Sequence, residues 1–171
     1  MLTLVAALAL APQAAYTPTG PVIEVRIAGR GAFHIRTDPK RSPKTVAHIS
    51  ALVKKRFYDK QRIHRVESWV TQWGAPASKD KPLTTDAVLS GGSGKQIPFE
   101  LADVDFTRGV VGIASTGLQV GGDSQIFVLK ADTLRLYSSY AVLGKVTKGM
   151  EVVDRIQKGD RIVSMTIKSK P

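Results

Sequence analysis

Phe57-Tyr58-Asp59-Lys60-Gln61-Arg62-Ile63-His64-Arg65-Val66, followed by Gln72 and much later by Ser124-Gln125-Ile126-Phe127, is the part of this 171-residue chain that decides how the rest is read. It brings together a permanently charged guanidinium at Arg65, amide side chains and several large apolar residues. It holds no nucleophile with its base, no acid–base pair and no set of metal ligands. Residues of these types bind and polarise a neutral group and are poorly equipped to cut a covalent bond.

Outward from this stretch the chain reads mostly as strands. Residues 62–66 and 69–73 are strand candidates, as are the apolar, β-rich runs 110–115 and 125–130 and residues 140–146. Residues 78–96 read as a long polar loop around Ser90-Gly91-Gly92-Ser93-Gly94. Towards the N-terminus, residues 22–28 alternate, with Val22, Glu24 and Arg26 set against Ile23, Val25 and Ile27. Gly29-Arg30-Gly31 is a turn leading to a second strand at 32–36, so the pair predicts a hairpin. Ser42-Pro43 offers a cap and a first turn. Val46, Ile49, Leu52 and Val53 follow at helical spacing, and Lys54-Lys55-Arg56 sit at the negative end of the dipole, which predicts a helix over 43–55. A shorter helix is predicted over 149–156, and alternation at Val163, Met165 and Ile167 predicts a last strand over 161–168. Many short strands with two separated helices suggest a closed antiparallel barrel plugged by helices, although pattern alone is equally compatible with a sandwich.

Composition removes several classes of function. With 43% hydrophobic and 23% charged residues the chain is globular rather than disordered, and its length suits one domain. The absence of Cys excludes disulfides, thiolate catalysis and Cys-based zinc sites. A net charge of +11 favours anionic partners in general. The basic residues are nevertheless scattered, with no basic helix interleaved with aromatics, so a cationic solvated surface is favoured over nucleic-acid binding. The first fifteen residues, MLTLVAALALAPQAA, carry no charge, and the first charged residue is Glu24. Such a run resembles the apolar core and cleavage zone of a secretory signal, although no Lys or Arg precedes it, and it is too short to span a bilayer. The expectation is an export signal and short linker over 1–21 and a folded domain over 22–171, delivered to a bacterial periplasm or the extracellular space, the alternative being a cytoplasmic protein whose apolar segment is not a functional signal.

The usual catalytic motifs fail. Gly94-Lys95 is followed by Gln96 and not Ser or Thr, which rules against a P-loop. Ser115 is one place too far along Gly112 to Gly117 for a nucleophile elbow. His34, His48 and His64 fall in three separate elements, so no metal site is expected. Asp103 and Asp105 flank Val104 ahead of a strand and read as turn residues.

What survives is an ordered series: Phe57-Tyr58-Asp59, Ile63-His64-Arg65-Val66, Gln72 with Gly74, Gly109-Val110-Val111-Gly112-Ile113-Ala114, Ser124-Gln125-Ile126-Phe127-Val128, Val142-Leu143-Gly144-Lys145-Val146, and Gly149-Met150-Glu151-Val152-Val153-Asp154. In that order the pieces resemble a cyclophilin-type peptidyl-prolyl cis-trans isomerase from about residue 22 to about residue 168. The resemblance implies a mainly β fold, a closed eight-stranded antiparallel β-barrel capped by two α-helices. It implies Arg65 and Gln72 as the catalytic residues. Trp69, Val70, Ala114, Ser115, Gln125, Phe127, Leu136 and Tyr140 are implied as substrate-binding residues, with Phe127 at the pocket floor. The chain departs from the pattern at several places. Arg135 stands where the family uses a Trp to hold cyclosporin, Tyr140 replaces a pocket His, and Ser115 replaces an Asn. Trp73-Gly74 replaces Gly-Gly, one residue is missing between Val66 and Trp69, and one is added between Gly117 and Ser124.

The residues suit that chemistry. Rotation about an Xaa–Pro bond must break amide resonance, a barrier of about 18–20 kcal/mol. In the twisted state the nitrogen lone pair becomes a hydrogen-bond acceptor, which a charged Arg65 would bind better than the planar amide. No cofactor, metal, proton transfer or covalent intermediate is called for. The expected partners are unfolded or flexible Pro-containing polypeptides, met by a monomer without membrane insertion or nucleic acid. The alternative is a barrel of the same kind that grips Pro-containing segments without turnover, as a chaperone or scaffold.

Overall fold

The computed structural model describes residues 15–168. The expected export segment lies, but for its last residue, outside the described residues. Eight strands, β1 (Val22–Ile27), β2 (Gly31–Thr37), β3 (Arg65–Val66), β4 (Val70–Trp73), β5 (Val110–Ile113), β6 (Ile126–Leu129), β7 (Val142–Lys148) and β8 (Ile162–Lys168), form one sheet. Its order is β3-β4-β6-β5-β7-β2-β1-β8, and every pairing is antiparallel. Helix α1 (Pro43–Lys54) packs on β7 and β8, and α3 (Met150–Arg155) packs on β2, so both predicted helices are present.

The sheet is curled but open, which corrects the expected closed barrel. No ladder joins its edge strands, β3 and β8. The segments just ahead of them meet at a single antiparallel bridge, Arg62 with Arg161. Around it Lys60 N donates to Ile162 O at 2.9 Å, Ile162 N to Gln61 O at 2.8 Å, and Ile63 N to Asp160 O at 2.9 Å. Lys60 (φ 67°) and Gly159 (φ 95°) are both left-handed, so the backbone leaves the extended region on each side and the pairing cannot propagate.

Alternation along the central strands builds two cores. Ile126 and Val128 of β6, Val111 and Ile113 of β5 and Leu143 of β7 face the helices, together with Ile49, Leu52, Val53, Val152 and Val153. Their neighbours Phe127, Leu129, Val110 and Val142 face the other way, beneath a cover of Ala102, Val104 and Phe106. Both faces being covered, β4, β5 and β6 are buried at every position, which is why the last two read as unbroken apolar runs.

Two local expectations change. The segment 78–96, read as a polar loop, contains the end of a 3-10 turn (Pro76–Lys79) and the one-turn helix α2 (Asp86–Leu89), anchored by buried Val88. Four residues are too few to show helical periodicity in sequence. Ser42 does not cap α1 with its side chain. The carboxylate of Glu100 does so instead, accepting from Lys44 N at 2.9 Å and Thr45 N at 2.7 Å and placing its charge at the positive end of the helix. Residues 16–21, read as a linker, lie against the sheet, with Gly20 N donating to Thr37 O at 2.8 Å and Thr37 N to Pro21 O at 3.0 Å.

Candidate active site

The site lies on the face of the sheet away from the helices, where the β3–β4 hairpin sets Arg65 opposite Gln72. Gln72 in turn pairs with Phe127 of β6, and Phe127 with Gly112 of β5. One row of cross-strand partners therefore carries the guanidinium, the amide and the aromatic floor. Period-two alternation puts Val70 two residues from Gln72 on the same face. Ala114 and Ser115 follow directly on the end of β5, and Leu136 and Tyr140 come from the connection before β7.

Arg65, Trp69, Val70, Gln72, Ala114, Ser115, Phe127, Leu136 and Tyr140 together line a slot of about 140 Å³. That is well under the roughly 300–1,000 Å³ of sites that enclose drug-sized ligands, so it has room for one ring or side chain. Nine of the ten residues expected from sequence thus line one concavity. The tenth, Gln125, stands behind it. Its Oε1 accepts from Gln72 Nε2 at 2.7 Å, while its own Nε2 donates to Gly91 O at 2.8 Å and Leu89 O at 3.1 Å. Gln125 fixes the amide orientation of Gln72, whose Oε1 then faces Arg65 and accepts from its Nη1 at 3.3 Å.

Phe127 is held from three sides. Its ring stacks on Phe106, with centroids 6.3 Å apart, and meets Tyr140 edge-on at 5.6 Å. Gly112 lies beneath it and leaves room for the ring. At the rim, the Trp69 indole has Arg65 Cζ 5.3 Å and Arg135 Cζ 4.9 Å from its ring centre, both within cation–π range. Glu67, which the sequence reading passed over, accepts from Arg65 Nε at 2.7 Å and from Trp69 Nε1 at 2.8 Å. No periodic signal marked it: Glu67 and Trp69 lie in the turn between β3 and β4, and the turn itself brings the carboxylate to both donors. These donors hold the Glu67 carboxyl below its ordinary range, Arg65 first. His64 is 3% exposed, and burial lowers its imidazole to about 4, helped by the positive charges of Arg65 and Lys158.

The slot sits at the junction of two larger depressions. One of about 460 Å³ runs past Gln125, Gly91 and Asp123 and shares Gln72, Ala114 and Ser115 with it. The other, of about 390 Å³, runs past His64, Glu67 and Lys158 and shares Arg65 and Gln72. A groove with a one-ring slot at its middle, a charged donor on the wall and an aromatic floor is shaped for an extended polypeptide.

A family model described as cyclophilin type peptidyl-prolyl cis-trans isomerase matches residues 22–170. The chain belongs to the cyclophilin-type peptidyl-prolyl cis-trans isomerase family. A Brucella abortus protein named a probable peptidyl-prolyl cis-trans isomerase is 33% identical over 165 residues, covering 94% of this chain and 83% of that one. The Helicobacter pylori peptidyl-prolyl cis-trans isomerase is 33% identical over 135 residues, covering 76% of this chain and 77% of its own. Among solved structures, a Cryptosporidium parvum cyclophilin superposes with a TM-score of 0.74 at 19% identity, covering 88% of this chain and 99% of that chain, and supports the fold. This cyclophilin-type chain is thus an isomerase, accelerating the cis–trans interconversion of peptidyl-prolyl bonds.

Among the described residues no group of three or more His, Asp or Glu is placed to hold a metal ion.

Proposed function

We propose that this protein accelerates rotation about Xaa–Pro bonds in exported polypeptides and so assists their folding, with Arg65 as the group that lowers the barrier. The prolyl ring enters the slot over Phe127, between Val70, Leu136 and Tyr140, and is held still. Residues on either side of it lie in the two flanking depressions. The rest of the polypeptide then turns about the amide, and Arg65 donates to the prolyl nitrogen as its lone pair leaves resonance with the carbonyl. Because that acceptor exists only in the twisted state, the interaction favours the transition state over either planar isomer. Gln72 keeps the guanidinium in place. From its place in the slot wall Gln72 also reaches the substrate carbonyl.

One observation carries this reading: the Arg65 guanidinium and the Phe127 ring line the same slot, one with a charged donor and the other with an apolar floor. The Cryptosporidium parvum cyclophilin was also solved in the presence of the dipeptide Ala-Pro, and its fold is shared at a TM-score of 0.73. Export is supported by the uncharged apolar leader, and the mass of the mature N-terminus tests it. A protease-coupled assay on a Pro-containing peptide tests the mechanism. The wild type should speed exchange, and Arg65→Ala should lose about 100-fold or more, the scale seen when one preorganised donor is removed from a transition-state site. Binding of the peptide without acceleration would favour the non-catalytic scaffold.

A further inference from the structure

We propose that Glu67 is a positioning residue for the isomerisation, clamping the Arg65 guanidinium and the Trp69 indole into one fixed arrangement beside the slot. The inference rests on the role of Arg65 given above. Each carboxylate oxygen has its own donor: Oε1 takes Arg65 Nε at 2.7 Å and Oε2 takes Trp69 Nε1 at 2.8 Å. A guanidinium has five N–H groups in one plane. Glu67 holds the plane at Nε and Gln72 holds it at Nη1, 3.3 Å away. Anchors at two different nitrogens, Nε and Nη1, fix both the position and the tilt of the plane. Nη2 has no protein acceptor among the described residues and is left for a substrate.

The clamp has a rigid base. Glu67 N donates to Val70 O at 2.8 Å across the hairpin turn. From the neighbouring strand end, Lys130 Nζ donates to Glu67 O at 3.2 Å and Lys130 N to Trp69 O at 2.8 Å. The backbone that carries the carboxylate is thus tied on both sides. Trp69 forms one wall of the slot, and its indole carries Arg65 on the ring at 5.3 Å. The same carboxylate therefore sets the catalytic donor and the wall against each other.

This arrangement has little to do with stability. The Arg65 and Glu67 side chains are 42% and 44% exposed, so water and salt screen the pair. What the clamp provides is a donor already oriented when the lone pair forms, so that no reorganisation is needed in the transition state.

The test uses the full chain and a Pro-containing peptide, with kcat and KM resolved separately and thermal unfolding recorded alongside. Glu67→Ala should lower kcat about tenfold while KM stays within about twofold, because the interaction lost is one that serves the transition state. Glu67→Gln, which keeps an acceptor but not the charge, should recover part of that loss. The ¹⁵N–¹H signal of Arg65 Nε should be distinct and slowly exchanging in the wild type and should merge with those of exposed arginines in Glu67→Ala. A Glu67→Ala protein of unchanged kcat beside an inactive Arg65→Ala protein would overturn the clamp alone. A lowered melting temperature with unchanged kcat would make Glu67 structural and would overturn it too. An Arg65→Ala protein as active as the wild type would overturn the role of Arg65 and the clamp with it.

Discussion

Gly112 and Phe127 face each other across β5 and β6, and the ring of Phe127 lies over the glycine where a side chain would otherwise be. A Cβ placed at Gly112 would stand 2.8 Å from Phe127 Cε1, closer than such atoms approach, and a tight 3.0 Å from Cε2. The floor of the slot is therefore set by an absent side chain on the neighbouring strand. Phe106 on one side and Tyr140 on the other leave the ring no lateral escape.

Gly112→Ala should push the ring up into the slot. Overpacking of this kind typically costs about 1–3 kcal/mol of stability. The larger effect should be on catalysis, with kcat/KM falling about tenfold or more, a loss of about 1.4 kcal/mol in transition-state binding. The protease-coupled assay and a crystal structure of the variant check both halves. An unchanged ring with unchanged kcat/KM would show that the slot has slack the geometry does not suggest.

Arg65→Lys should fail to rescue. The lysine keeps a positive charge but has a single ammonium in place of a planar fork, so it cannot accept the two-point hold from Glu67 and Gln72. Its kcat/KM should lie nearer to that of Arg65→Ala than to the wild type. A lysine variant with wild-type turnover would mean that charge alone suffices and that orientation is unimportant.

Stability should fall in mild acid through His64. Burial lowers this imidazole to about 4 in the fold, against an ordinary 6.5, so between those values the unfolded chain binds the proton and the folded chain resists it. Stability is then fully present above about pH 6.5 and declines as the pH falls towards 4, by an amount on the order of 1–3 kcal/mol. Melting temperatures recorded between pH 4 and 7 should show this slope. His64→Gln should flatten it relative to the wild type, even if the variant is less stable throughout.

Cyclosporin should inhibit weakly. The family resemblance places a Trp where this chain has Arg135, which is exposed and lies over the Trp69 ring at 4.9 Å. Arg135→Trp should lower the inhibition constant about tenfold or more, equivalent to about 1.4 kcal/mol of binding. Inhibition curves on the two proteins decide it.

The candidate site residues were picked out in sequence by the family resemblance, and four of them fall in one local cluster. Arg65, Trp69, Val70 and Gln72 lie within eight residues of one hairpin, so the alternation of a strand already implies that some of them share a face. The resemblance implied Phe127 as the floor, but the room for its ring comes from Gly112 on another strand. Gln125 shows the opposite limit. Its motif was recognised, yet its amide turns back to Gln72 and to the carbonyls after α2 and does not line the slot. Glu67 was not singled out in sequence, and only the folded hairpin shows that one carboxylate reaches two slot residues.

By itself the sequence determined the strand and helix pattern, since alternation and helical spacing reflect which side of each element meets water. It also determined the chemistry on offer: a guanidinium, amides and aromatic walls, with no thiol. That the curled sheet stays open, that α1 is capped by Glu100 from 55 residues away and that burial depresses His64 were decided only by tertiary structure. Each of these depends on backbone turns and long-range contacts that bring distant residues together. A local pattern records the preference of each segment but not which distant carboxylate, carbonyl or glycine it will meet.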